Sequence, residues 1–289
     1  MPILVAIKGL SHAEAVLRLG AQIACRSHEP LTILTVVKHQ ATRSLGRVEA
    51  ILAQASEVVQ SQVSEARTKL RVGHPAVEIV EEAKEGHYDL VIVGQEPNQH
   101  LATRFLLGST VIRVVEHAPC PVIVAKGKIK PMKRILLCDS GNADPSVGLP
   151  PDSPKKGPSA LRRFIELPIG LIDGAGEIVV LHVMSQISAG PGVRGKQLRS
   201  DTEELLEERA PEGELLARDI EALAGLGLCA RAKVRHGLVV EEILDEAQRE
   251  DYDLVVIGAY RRQGWGRILL DDLAHKLVVE LDRPVLVVR

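Results

Sequence analysis

The sequence predicts an α/β protein built as two similar halves, each an open five-stranded parallel sheet with helices on both faces. Two observations predict it. Residues 69–94 (KLRVGHPAVEIVEEAKEGHYDLVIVG) lie over residues 233–258 (KVRHGLVVEEILDEAQREDYDLVVIG) without a gap, at a constant offset of 164, with 12 of 26 positions identical. The identities include Gly73/Gly237, Glu78/Glu242, Ile79/Ile243, Ala83/Ala247 and the closing Tyr-Asp-Leu-Val. A repeat of this length is a unit of fold, so the 289 residues divide in two. Short, wholly apolar runs also alternate with segments of helical period, which is the pattern of parallel strands covered on both faces.

In order along the first half, ILVAI (3–7) is a continuous apolar strand. Ala13, Val16, Leu17, Ala21 and Ala24 follow at helical spacing. LTILTVV (31–37) is the second strand. Val48, Ile51, Leu52, Ala55, Val59, Val63 and Ala66 then line one face of a long helix, with Glu49, Glu57, Gln60 and Glu65 outside. A short strand near Lys69–Val72 leads through Gly73-His74-Pro75 into a helix around 76–86. DLVIVG (89–94) is a third apolar strand, 109–117 a helix and PVIVA (121–125) the last strand.

The second half repeats the order: ILLC (135–138), a helix around 159–170, EIVVLHV (177–183), a helix within 201–224, a strand near 229–234, a helix at 239–249, DLVVIG (253–258), a helix at 272–281 and PVLVV (284–288). The expected boundaries are domain 1 at 1–126, a linker at 127–133 and domain 2 at 134–289. DPSVGLPPDSPKKGPS (144–159), with five prolines, interrupts the repeat after the first strand of domain 2. It reads as a flexible loop, either a tolerated surface insertion or a segment hanging near a pocket at the strands' carboxyl ends.

Bulk properties exclude several classes. A formal charge of -2 leaves no electrostatic footprint for nucleic acid. Two Phe, three Tyr and one Trp are too few for base-stacking platforms. No apolar run approaches the roughly 20 residues that span a bilayer, and MPILVAIKGL lacks the basic region of a signal peptide. Cys25, Cys120, Cys138 and Cys229 are scattered without CxxC spacing, which argues against zinc or disulfides and for a reducing cytoplasm. The ten histidines show no ligand spacing, so no metal is expected.

The segments that could carry chemistry lie after the strands. Gly94 and Gly258 close the third apolar strand of each half, and about fourteen residues later a helix begins. In domain 1 it opens with Gly108-Ser109-Thr110. Backbone N–H groups, a hydroxyl and the positive end of a helix dipole form a competent phosphate site; equally, Ser109 or Thr110 caps its own helix. Arg261-Arg262 could fork onto an anion or sit in solvent on a loop. His117 and Cys120 lie in a helix-to-strand turn where packing explains them. Ser109 shows no histidine partner in sequence, and no hydrolytic machinery is visible.

The Val-rich strand ending in Gly, then LLGST, the helix and HAPCPVIVA (117–125), together with the first strand, the Gly-His-Pro turn and YDLVIVG, strongly resemble the universal stress protein family. The resemblance covers both halves, so the chain looks like a tandem member. It implies a five-stranded sheet of the adenine-nucleotide α-hydrolase-like class in each half. It also implies a pseudo-dimer within one chain, 121–125 pairing with 284–288, with higher homo-oligomers open. Nucleotide-binding members hold ATP with G-x-x-G-x9-G-[ST] and an Asp after the first strand.

Against that pattern, domain 1 keeps Gly94 and Gly108-Ser109. It has Pro97 for the second glycine, one residue too many in the spacing, and Lys8 for the Asp. Domain 2 has the spacing, but Arg261 replaces the second glycine and Asp271-Asp272 replace Gly-Ser. Each carboxylate close to a phosphate costs about 4 kcal/mol at an effective dielectric near 20, whereas as helix caps both are favourable. Aligned without gaps, Ser140 stands opposite Lys8 and Asp139 one position early, which reverses its facing; only a shifted strand alignment puts Asp139 in the adenine position. The expectation is a non-enzymatic stress-response protein with no cofactor and a nucleotide motif degraded in both halves. The alternatives are an ATP- or AMP-binding switch using domain 1 and, last, a nucleotide-processing enzyme.

Overall fold

A computed structural model describes residues 2–10, 13–38, 45–94, 109–139, 160–167, 176–184, 202, 211–259 and 272–288. The first copy contains β1 (Ile3–Ile7), α1 (Glu14–Ser27), β2 (Leu31–Val37), α2 (Leu45–Gln60), β3 (Ala66–Val72), α3 (Pro75–Glu85), β4 (Leu90–Gly94), α4 (Ser109–His117) and β5 (Val122–Ala125). The second contains β6 (Arg134–Cys138), α5 (Ala160–Ile165), β7 (Glu177–Met184), α6 (Pro211–Gly225), β8 (Cys229–His236), α7 (Val239–Arg249), β9 (Leu254–Gly258), α8 (Asp272–Glu280) and β10 (Val285–Val288). The proline-rich 144–159 lies outside the described residues.

The two five-stranded sheets are one ten-stranded sheet, in the order β3-β2-β1-β4-β5-β10-β9-β6-β7-β8. Every pairing is parallel except β5 with β10, where Val285, Leu286 and Val287 lie antiparallel to Val124, Ile123 and Val122. Reversal at that seam sends the strands of the two copies in opposite directions, so their carboxyl ends lie at opposite ends of the sheet. Strand order reverses between β1 and β4 and between β6 and β9, which sets a ligand crevice in each copy.

One apolar layer joins α1, α2, α5 and α6 to the sheet through residues such as Leu17, Leu52, Phe164 and Leu216. The other joins α3, α4, α7 and α8 through Ile79, Val114, Ile243 and Leu277. The central strands are apolar on both faces because both are covered. Three boundaries differ from the expectation: α5 ends at Ile165 rather than near 170, β8 runs on to His236, and α2 stops early. The apolar period continues through Val63 to Ala66, but α2 ends at Gln60 and Ala66 opens β3. Val63 is buried all the same. Helical period reports which residues reach the core, and here the turn after the helix reaches it too.

The edge strands are held differently. In β3 and β8, Leu70, Val72, Ala232 and Val234 pack on the α2/α6 side. The alternate residues are cations that reach the following helix. Lys69 Nζ and Arg71 Nη1 bond Glu82 at 2.5 and 3.0 Å, Tyr88 O–H donates to Glu82 at 3.1 Å, and Arg71 Nε bonds Glu78 at 2.8 Å. The second copy rebuilds it: Lys233 and Arg235 to Glu246 at 2.7 and 3.0 Å, Tyr252 to Glu246 at 2.7 Å, Arg235 to Glu242 at 2.6 Å, with Asp245 also on Arg235. Glu82 is 3 % exposed and Glu246 0 %. Burial alone would push Glu246 up, but donation by Lys233, Tyr252 and Arg235 outweighs it and holds the carboxyl below its ordinary range.

The segment between the copies is packed. Met132 is in the core, and Lys130 pairs with Asp251 at 2.9 Å. Lys126, buried at the end of β5, donates to the carbonyls of Val278 and Val279 in the last turn of α8, at 2.5 and 3.5 Å, so the first copy caps a helix of the second. Gly127 follows with φ 64°, and a Cβ there would lie 1.9 Å from the Asp282 carbonyl oxygen.

Glu246→Ala is expected to cost about 3–5 kcal/mol, because it leaves half-buried Lys233 and Arg235 and the buried Tyr252 hydroxyl without their shared acceptor, whereas Glu85→Ala on the exposed rim costs far less; urea unfolding measures both. Burial lowers Lys126 to about 8 in the fold, so the folded chain binds that proton less readily than the unfolded one. Stability from this group therefore rises as pH increases above 8, and Lys126→Met removes that rise in denaturant midpoints read against pH.

Candidate functional site

In the first copy the crevice is framed by the ends of β1 and β4 and the start of α4. Ala6 pairs in register with Val93, so Lys8 follows β1 beside Gly94, the last residue of β4. Strand alternation puts Lys8 with Leu4 and Ala6 on the face that carries α4, and its side chain is exposed. Gly94 has a structural reason: a Cβ there would lie 2.9 Å from Val16 Cγ2 of α1. Ser109 is the exposed first residue of α4 and Thr110 the half-buried second. Lys8, Gly94, Ser109 and Thr110 thus frame one end of the sheet, where an ammonium and a helix N-terminus are both positive. Gly108 and Pro97 lie outside the described residues.

The second crevice is built on β6, β9 and α8. Gly258 ends β9 beside Val288 of β10, and Asp272 opens α8. Ser140, Arg261, Arg262 and Asp271 lie outside the described residues. The register fixes Asp139. Ile3 pairs with Leu90 and Ile135 with Leu254, and Leu90 and Leu254 are the same position of the repeat. Ile7 is therefore the counterpart of Asp139, and Lys8 that of Ser140. Asp139 stands one residue before the crevice position and on the opposite face of the sheet, 3 % exposed.

That inward face holds a cluster absent from the sequence-level reading. The Asp139 carboxyl lies within hydrogen-bonding reach of Asp219 on α6, itself 6 % exposed. Burial, then the negative charge of Asp139 and the bond to it, push Asp219 up to about 8. His182 of β7 is buried beside them, its Nδ1 3.2 Å from the Asp139 carbonyl oxygen. The Cys138 thiol, on the other face, is pushed well up by burial, which keeps it protonated. The signal for this cluster was in the chain: the 164-residue offset, carried back along the preceding helix, sets Asp219 opposite Ala55.

Chemically, the first crevice offers positive charge to an anion. No group of three or more His, Cys, Asp or Glu among the described residues could hold a metal ion, and no described helix is long and apolar enough to cross a membrane. His117 bonds the Arg113 carbonyl through Nδ1 at 2.9 Å, and Cys120 is buried in the core.

Two doubly wound halves joined edge to edge, with a crevice at each strand-order reversal, define a tandem α/β protein of open, mainly parallel sheet. The family model for the universal stress protein family matches residues 1–126 and 149–289, and the chain belongs to that family. Over 66 residues it is 44 % identical to a universal stress protein of Methanocaldococcus jannaschii, a match covering 23 % of this chain and 36 % of that relative. The chain thus spans about a third of that relative's length. A universal stress protein of Archaeoglobus fulgidus superposes over 100 % of this chain and 98 % of its own, with a TM-score of 0.69 at 16 % identity. A functionally unknown protein of Pseudomonas aeruginosa superposes over 99 % and 92 %, with a TM-score of 0.65 at 20 % identity. At these identities the two structures establish the fold.

Proposed function

We propose that this chain is a non-catalytic universal-stress-type protein in which neither half binds ATP in the manner the family resemblance implies. The observation that carries this reading is the divergence of the two crevices within one preserved framework. The family's adenine-side carboxylate is replaced by an exposed Lys8 in the first copy. In the second, the nearest carboxylate, Asp139, is turned into the core against Asp219. α8 begins at Asp272, and the sequence has Asp271-Asp272 where the family pattern has Gly-Ser. A framework kept in duplicate around two unlike ends favours a scaffold in the stress response, acting in the cytoplasm through partners or higher homo-oligomers rather than on a substrate.

A second reading keeps one nucleotide site. Its support is the exposed Ser109 at the start of α4, with Lys8 at the same end of the sheet. Lys8 would then approach a phosphate or ribose of ATP or AMP, with Gly108 and Thr110 completing the anion cradle.

Isothermal titration of the full chain with ATP and with AMP separates the two: no binding at micromolar nucleotide is expected, and micromolar or tighter affinity overturns the first reading. If binding is found, Ser109→Asp places a carboxylate at the α4 N-terminus and abolishes it under the second reading. Unchanged affinity in that variant removes the domain 1 site.

A further inference from the structure

The two copies differ most where α6 meets the sheet. Ile3 pairs with Leu31 and Ile135 with Ile178, so Thr35 corresponds to His182 just as Ile7 corresponds to Asp139. Leu31 pairs with Ala66 and Ile178 with Ala230, which restores the 164-residue offset. Carried along the helix, that offset sets Leu52, Ala55 and Val59 against Leu216, Asp219 and Leu223, buried in both copies. The first copy thus closes this seam with Ile7, Thr35 and Ala55; the second closes it with Asp139, His182 and Asp219.

An ionised carboxylate only accepts hydrogen bonds, so two carboxyls within bonding reach need a proton between them. Asp219 Oδ2 is buried and meets no donor among the described residues. We propose that Asp139 and Asp219 share one proton and form a pH-operated clasp that holds α6 against the end of β6, a device the second copy has and the first lacks.

The groups facing the clasp come from every neighbouring element. His182 approaches from β7 through the Asp139 carbonyl, and β8 brings His236, whose Nδ1 is buried. Arg218, on α6 itself, favours the ionised form of Asp219. Arg163 of α5, with its Nε buried, lies on the same face of the sheet, and Cys138 precedes Asp139 on the opposite face.

The sign follows from the direction of the Asp219 shift. The folded chain holds this proton more tightly than the unfolded chain, whose carboxyl titrates near 3.8. The stability it lends is complete below that pH and is lost as pH rises toward about 8. Above it both carboxyls are ionised in one apolar seam, and α6 is repelled from β6.

Hydrogen exchange by mass spectrometry on the full chain, corrected for intrinsic rates, tests this. The opening equilibrium of α6 (211–225) is expected to increase with pH by up to tenfold per unit until about pH 8, while that of α2 (45–60) stays flat. Asp219→Asn keeps the shape, removes the titrating carboxyl and flattens the α6 profile; Asp139→Asn removes the second carboxyl and its charge, so the rise ends at a lower pH, burial of Asp219 alone sustaining the remainder. A flat α6 profile in the unaltered chain, an equal slope in α2, or a wild-type slope in both variants overturns the clasp.

Discussion

A buried glutamate on the helix after each edge strand is the interaction on which the architecture rests. Glu82 and Glu246 each accept from a lysine, an arginine and a tyrosine supplied by the edge strand and by the start of the next strand inward in sequence. The cost of burying a carboxylate makes the arrangement all-or-nothing: with every donor present it is satisfied, and with one missing it is a strong penalty. It also explains how β3 and β8 can be strands at all. Their sequences are too polar to be held by apolar burial on both faces, so one face packs on α2 or α6 and the other is pinned by charge. Exposed cations along the same strands discourage a further strand from pairing there.

The centre of the molecule obeys the opposite rule. At the β5–β10 seam the side chains are Val, Ile and Leu, and strand pairing with apolar layers above and below makes ten strands one sheet. Polar contacts there are few and specific. Lys126 spends a buried ammonium on the carbonyl end of a helix from the other copy, and Asp253 accepts from the backbone N–H groups of Lys133 and Arg134 where β6 begins. The copies are thereby fixed relative to one another, with their crevices at opposite ends of the sheet.

Within one duplicated framework the two crevices differ. The first presents positive charge at Lys8 and the α4 N-terminus. In the second, the inward face beneath the crevice carries Asp139 and Asp219 where the first copy has Ile7 and Ala55. A single methyl and a branched chain fill such a seam without any dependence on solution conditions; two carboxyls fill it only with a proton.

Strand and helix order was legible in the chain because full apolarity marks strands covered on both faces, and a gapless repeat marks a duplicated unit. Even the boundaries of α4 and α7 are local properties. The end of α2 was not, since Val63 buries itself from a turn as well as from a helix. The identity of Lys69, Arg71, Glu82 and Tyr88 with their counterparts was visible as sequence, but that one carboxylate gathers the other three is decided by packing α3 across β3. Asp139 shows the same division. Its residue type suggested a ligand, and a parity argument on the strand already turned it the other way. Only the tertiary structure supplied what it faces, because Asp219 lies 80 residues further on and burial belongs to the folded chain rather than to either aspartate.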